Sequence, residues 1–442
     1  MSGFLYMLLF SVFGNALCNP PHYNVQPQKT EFSPFYYPSN DIDEEVKNVK
    51  QLSIYSADWI KPAKVDNRLV AKFTQQLDNF HKRLTKTVLD SKPGQNVIYS
   101  PISISILLMM VAFGSRGKTL NEILRETGLE FNTRTLMGFH DLVDIMENVD
   151  GVDLELANVI FASKNFDIVP DYRQRIVTHL KSELRKIDFE NTKSAAQEIN
   201  DWCKKQTKNQ ITEIVNSDDL SDILLMLANA VYFKGDWMIP FDIADTEDEP
   251  FYISKNQTVN VPMMYINNEF SYGRISELDT FFVELPYVHG ENDRDIFSMF
   301  ILVPINHNLE LLEKNLDLIN FKHLDLYEEN VHIKLPRFKI QSTLDVKPIF
   351  EKMGMTSMFK GDADFRGLLD HQSIYLSKVV QKASLTVNEK GSIAAAVSAA
   401  SFSDRMAASM VTVNQPFICA IVLKSLGLPV FYARVVDPTS SN

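Results

Sequence analysis

Between Gly391 and Ser403 the chain carries no charge and no proline, and small residues stand at nearly every second position. Asp404-Arg405-Met406 follows directly, and Arg405 is the only basic residue between Gly391 and Gln415. Arginine is the side chain that the acidic pocket of a trypsin-like protease accepts. Read as a strand, the stretch puts Ser392, Ala394, Ala396, Ser398 and Ala400 on one face, because side chains alternate with period two. No proline would remove a ladder bond, and nothing bulky opposes burial of that face until Phe402. Its thirteen residues would span roughly 43 Å at about 3.3 Å each. Alanine is also the best helix former, so Ile393 to Ala400 reads equally well as a plain helix.

Catalytic patterns are missing elsewhere. The nine histidines stand in unrelated contexts, with no Gly-x-Ser-x-Gly elbow and no HExxH helix. There is no Walker loop, no GxGxxG and no CxxC or Cys/His ligand spacing. Neither a catalytic residue, a metal nor a cofactor is expected. Three cysteines are too few for a disulfide framework, so stability must come from the core.

Composition bounds the class. With 45% hydrophobic and 23% charged residues, the 442-residue chain reads as soluble and globular, long enough for two or three domains. A net charge of -12 argues against nucleic acid or an anionic membrane as partner. No run of eighteen apolar residues occurs, so no membrane-spanning helix is expected. Phe4 to Phe13 is a short apolar block followed by Ala16-Leu17-Cys18, which predicts a signal peptide over residues 1–18 and a secreted, extracellular protein. Asn256-Gln257-Thr258 is the only N-x-Ser/Thr sequon, and secretion makes Asn256 a candidate glycan acceptor.

Residues 19–66 read as an extension. Pro20, Pro21, Pro27, Pro34 and Pro38, an acidic patch from Asp41 to Glu45 and weak apolar periodicity predict a mostly disordered segment. From residue 67 to 442 the pattern is that of one folded domain. Phe73, Leu77, Phe80, Leu84 and Val88 recur at helical steps, and Pro93-Gly94 ends that helix. Ser100 caps a second, very apolar helix from Ile102 to Phe113, with Pro101 in its first turn. Strand patterns follow at 154–162, 224–233, 281–285, 297–303, 332–335, 376–387, 417–423 and 430–436, with helices at 194–207 and 343–353. Helices and strands mix without strict βαβ alternation, so the fold class is α+β.

The run Glu389-Lys390-Gly391-Ser392-Ile393-Ala394-Ala395-Ala396 closely resembles the hinge of the serpins, and the likeness extends over about 360 residues, from near Phe80 to Pro438. Asn96 to Ser103, Leu227 to Trp237, Val261-Pro262-Met263-Met264, Leu335-Pro336-Arg337-Phe338, Asp364-Phe365 and Gln415-Pro416-Phe417-Ile418 each resemble a serpin landmark, in the right order. The resemblance implies a large central mixed β-sheet with additional sheets, eight or nine helices and an exposed reactive-centre loop at about 389–415. In such a protein a protease cleaves the loop and is trapped as an acyl-enzyme when the freed loop inserts into the central sheet; loop insertion in serpins is a standard case of strand addition. Counting fourteen positions from Gly391, or eleven back from Pro416, places the reactive bond at Arg405-Met406. The expected partner is a trypsin-like serine protease in a covalent complex, and the protein a monomer. Hinge residues are Glu389, Gly391, Ser392, Ala394, Ala395 and Ala396. Sheet opening falls to Ser100, Ser103, Asn229, Trp237, Arg337 and Gln381, with Glu389 expected to pair with Arg337. Two positions depart from the pattern: Gln381 replaces a histidine and Ala433 a glycine. The rival reading is a non-inhibitory serpin acting as carrier or chaperone, whose hinge would tend to hold bulky, charged or proline residues.

Overall fold

The computed structural model describes residues 67–149, 151–290, 296–369, 374–390 and 409–440. In chain order the helices are α1 (Asn67–Ser91), α2 (Pro101–Gly114), α3 (Gly117–Thr127), α4 (Thr133–Glu147), α5 (Pro170–Leu180), α6 (Thr192–Gln206), α7 (Leu309–Lys314) and α8 (Lys347–Lys352). The strands of the first half are β1 (Val97–Tyr99), β2 (Val152–Ser163), β3 (Glu183–Ile187), β4 (Leu225–Gly235), β5 (Glu247–Ser254), β6 (Gln257–Ile275) and β7 (Thr280–Pro286). Those of the second half are β8 (Phe297–Pro304), β9 (Tyr327–Pro336), β10 (Phe338–Asp345), β11 (Lys378–Val387), β12 (Ser409–Thr412), β13 (Phe417–Leu423) and β14 (Leu428–Val435).

The central sheet has five strands in the order β10-β11-β4-β2-β3. It is mixed: β10/β11 and β4/β2 pair antiparallel, whereas β11/β4 and β2/β3 pair parallel. A second, nine-stranded sheet runs β1-β14-β13-β8-β7-β6-β9-β12, with β5 added on β6.

Period-two alternation drives both faces of the central sheet into cover. Leu225, Leu227, Val231 and Phe233 of β4 join the main core, while Met226, Ala228 and Ala230 pack with Ile199, Trp202 and Cys203 of α6. A sheet buried on both faces needs near-continuous apolar strands, and β4 is buried at every position except Lys234. Under it runs α2, all 14 residues of which are buried. Ser100 caps it through its hydroxyl, which accepts the Ser103 N–H at 3.3 Å, and Pro101 supplies the preset first turn. Each fully buried Leu, Ile or Phe in such a layer contributes about 1.5–3 kcal/mol.

One expected helix begins later. Thr343, Leu344 and Asp345 belong to β10, and the helix there, α8, starts at Lys347. Buried Phe338, Ile340 and Leu344 alternate with exposed Lys339, Thr343 and Asp345, a two-residue period that only a strand can bury.

Candidate functional site

Strands β4 and β11 lie side by side, with eight register pairs from Lys378↔Met226 to Leu385↔Phe233 and nothing between them. Both run in the same direction. Parallel pairing is slightly weaker per residue than antiparallel pairing. A third strand entering antiparallel to both would replace one parallel ladder by two antiparallel ones. In sequence, the segment that begins at Gly391 follows three residues after the end of β11.

A buried amide network holds the seam at mid-height. Gln381 of β11 stands opposite Asn229 of β4, and both are wholly buried. The Gln381 Nε2 donates to Asn229 Oδ1 at 2.7 Å and to the Ser100 carbonyl at 3.1 Å. Its Oε1 accepts the Ser100 N–H at 2.8 Å. Glutamine thus uses two donors and one acceptor at once, replacing a histidine without leaving an orphan. The Ser100 hydroxyl donates to Ser103 Oγ at 3.0 Å. Asn229 carries the chain onward, donating to Asn158 Oδ1 at 2.9 Å and to the Ala157 carbonyl at 3.0 Å. The network therefore ties α2, β11, β4 and β2 together.

The upper end of the seam is closed by an aromatic stack and an ion pair. Trp237 stacks on Tyr287 with centroids 4.6 Å apart and planes 13° from parallel. Its Nε1–H donates to the Asn388 carbonyl at 2.8 Å, holding the chain just past β11. Gly235 makes the stack possible: a Cβ there would lie 2.6 Å from Tyr287 Cδ1. Phe338 pairs with Val387, which brings Arg337, one residue before β10, beside the residues that follow β11. Arg337 Nη1 donates to Glu389 Oε1 at 3.2 Å, Thr246 Oγ1 donates to the same oxygen at 3.0 Å, and the Glu389 carbonyl accepts the Phe241 N–H at 2.9 Å. The Glu389 side chain is 4% exposed and that of Arg337 44%, so the pair spans the surface with its acid end sunk.

The sheet-opening residues that the resemblance names thus fall into two groups on one seam, Ser100, Ser103, Asn229 and Gln381 below and Trp237 and Arg337 above, with the hinge residue Glu389 paired to Arg337. Gly391, Ser392, Ala394, Ala395, Ala396, Arg405 and Met406 lie outside the described residues, as do the expected signal peptide and the extension. Asn256 is exposed in the turn between β5 and β6. Ala433 is buried on β14 between Ile98 and Cys419, away from the seam.

Sequence reasoning passed over three contributors. Asn158 interrupts an apolar strand run, and a lone buried amide in such a run is a signal for a polar partner. Thr246 and Tyr287 had no pattern to mark them; only the fold brings them to the seam. Nothing in the neighbourhood is primed as a nucleophile: burial pushes the thiols of Cys203 and Cys419 up to about 12. Among the described residues no group of three His, Cys, Asp or Glu could hold a metal ion.

Comparisons with known proteins agree with this geometry. The family described as "Serpin (serine protease inhibitor)" matches residues 75–438. The chain is 30% identical to antitrypsin of Bombyx mori over 365 residues, covering 81% of this chain and 90% of that protein. It is 34% identical to the leukocyte elastase inhibitor of Xenopus tropicalis, covering 81% and 98%. Among solved structures, a highly specific serpin of the insect Tenebrio molitor superposes with a TM-score of 0.75 at 27% identity, over 85% of this chain and 100% of that one. Human thyroxine-binding globulin also superposes, with a TM-score of 0.75 at 27% identity, over 84% and 100%. With the family matched along most of its length and the seam built as described, the chain belongs to the serpins.

Proposed function

We propose that the protein is a secreted suicide inhibitor of trypsin-like serine proteases, cleaved at Arg405-Met406. The observation that carries this reading is the unfilled parallel seam between β4 and β11, standing at the root of a segment with no charge, no proline and a face of small residues. Arg405 enters the acidic pocket of the protease, and the catalytic serine forms an acyl-enzyme with its carbonyl carbon as the Met406 amine leaves. The freed segment then enters the seam as a new strand, with Ser392, Ala394 and Ala396 turned toward the core. The protease, still esterified to Arg405, is carried along the sheet and distorted before water can release it. Asp404 beside the bait narrows the set of proteases that accept it, since a carboxylate there is unfavourable for many enzymes of this class.

Thyroxine-binding globulin, solved as a complex with thyroxine, shares the fold, so fold alone does not separate inhibitor from carrier. The hinge does. Ser392 and Ala394 to Ala396 are small and uncharged, which a strand that must be buried requires. Secretion is supported by the apolar Phe4–Phe13 block, and Asn256 occupies an exposed turn that a glycan can reach.

Mixing the protein with trypsin tests the reading. A complex stable in SDS is expected, with a released C-terminal peptide that begins at Met406, and Arg405→Ala should abolish both. Complete hydrolysis of the loop with no covalent complex would leave the carrier reading in place.

A further inference from the structure

Behind the amide network lies a buried histidine that the proposed reaction does not use. His81 on α1 is 1% exposed, and its Nε2 is 2.9 Å from the hydroxyl of Ser105 on α2. Its Nδ1 has no hydrogen-bond partner. One turn along α1, the Thr85 hydroxyl lies beside the buried phenol of Tyr99. Tyr99 directly precedes Ser100, and Ser105 lies in the helix that Ser100 caps; Ser100 is the residue whose N–H and C=O are both held by Gln381.

We propose that His81 is an acid-sensitive wedge: protonating it forces the α1–α2 contact open and, through Tyr99 and Ser105, loosens the hold of Ser100 on Gln381 and so the β4–β11 seam. The consequence for inhibition, premature loop insertion or loss of activity in acidified fluid, rests on the function proposed above. The opening of the seam does not.

The chemistry is one of missing acceptors. An imidazolium presents two N–H donors and a charge, and this site supplies a single hydroxyl. Several charged or titratable groups on the surrounding elements pair with one another. Asp78 of α1 pairs with Lys82, Arg83 of α1 with Glu126 of α3, His140 of α4 with Asp144, Lys352 of α8 with Asp90, and Arg434 of β14 with Glu313 of α7. Helix α2 has no charged residue, and burial keeps the phenols of Tyr99 and Tyr432 neutral. Burial accordingly lowers the His81 pKa from 6.5 to about 3. Because the folded value is the depressed one, the closed contact has its full advantage above pH 6.5 and loses it as pH falls toward 3. Each unit in that window shifts the balance toward states that expose His81 by up to about tenfold.

Hydrogen exchange of residues 378–387, measured on the full chain and on His81→Gln at the same pH, tests this. Glutamine can still bond Ser105 but does not titrate. Equal exchange is expected at pH 7.5, and up to about tenfold faster exchange in the wild type at pH 5.5. Equal exchange at both pH values would overturn the proposal. Should His81→Gln fail to fold, the titration of His81 in the wild type can be followed by exchange of its ring C2 proton. No midpoint above pH 5 is expected, and a midpoint near 6.5 would overturn the wedge. A chain that leaves trypsin untrapped yet shows the His81-dependent exchange would retain the wedge and lose only its consequence for inhibition.

Discussion

A single side chain, Gln381, joins the two strands that must part and the helix beneath them. Truncating it leaves the Ser100 N–H, the Ser100 carbonyl and Asn229 Oδ1 without that partner in a dry interior. Unsatisfied buried groups cost about 1–3 kcal/mol each, so Gln381→Ala should destabilise the fold by about 3 kcal/mol in total, read as a lower urea midpoint. It should also hasten spontaneous loss of trypsin inhibition, because the network closes the seam. An unchanged midpoint would mean that the amide is dispensable. At this scale the residues carrying the serpin resemblance were legible in the sequence: Gln381, Asn229, Ser100 and Ser103 were named from local motifs, and the fold brings them within hydrogen-bonding distance. Asn158 and Thr246 were not, because neither stands in a motif that carries the resemblance; only the pairing of β2 with β4 and the chain around β11 bring them to their partners.

Among elements, the proposed insertion depends on a match of period between the seam and the segment after Gly391. A strand entering between β4 and β11 places every second side chain in the main core, which bulk or charge at those positions would oppose. Ser392→Arg should therefore turn the inhibitor into a substrate. Its charge would have to enter a sheet interior at a cost of several kcal/mol, and deacylation would outrun insertion. The readout is the ratio of cleaved chain to SDS-stable complex with trypsin; an unchanged ratio would contradict insertion. Element-level reading from sequence succeeded where apolar runs were continuous, as in α2, β8 and β13. It missed β6, whose 19 residues include the exposed polar residues Asn260, Asn267 and Glu269, and it ran the α8 helix back into β10. Pairing with β5, β7 and β9 holds β6 extended, and no single-strand pattern reports partners.

For the whole molecule, the serpin body accounts for the chemistry, and the chain before it is assigned none. Residues 19–66 lie before the span that matches the family and lack a core pattern. Deleting 19–60 should leave the rate of trypsin inhibition within about threefold, roughly 0.7 kcal/mol in activation free energy. A misfolded truncation would show that the segment packs on the body. A loss confined to the natural target would point to a second contact that raises effective concentration.

The central claim is that the intact protein holds a seam which its own cleaved loop fills. A strand paired with both β4 and β11 adds on the order of ten ladder bonds at about 1 kcal/mol each. For a domain of this size that corresponds to a rise in melting temperature of more than about 10 °C. The decisive measurement is the thermal midpoint of the protein before and after cleavage at Arg405-Met406, with the released peptide retained. The cleaved form should melt at least that much higher. A cleaved form melting at or below the intact one would contradict the account.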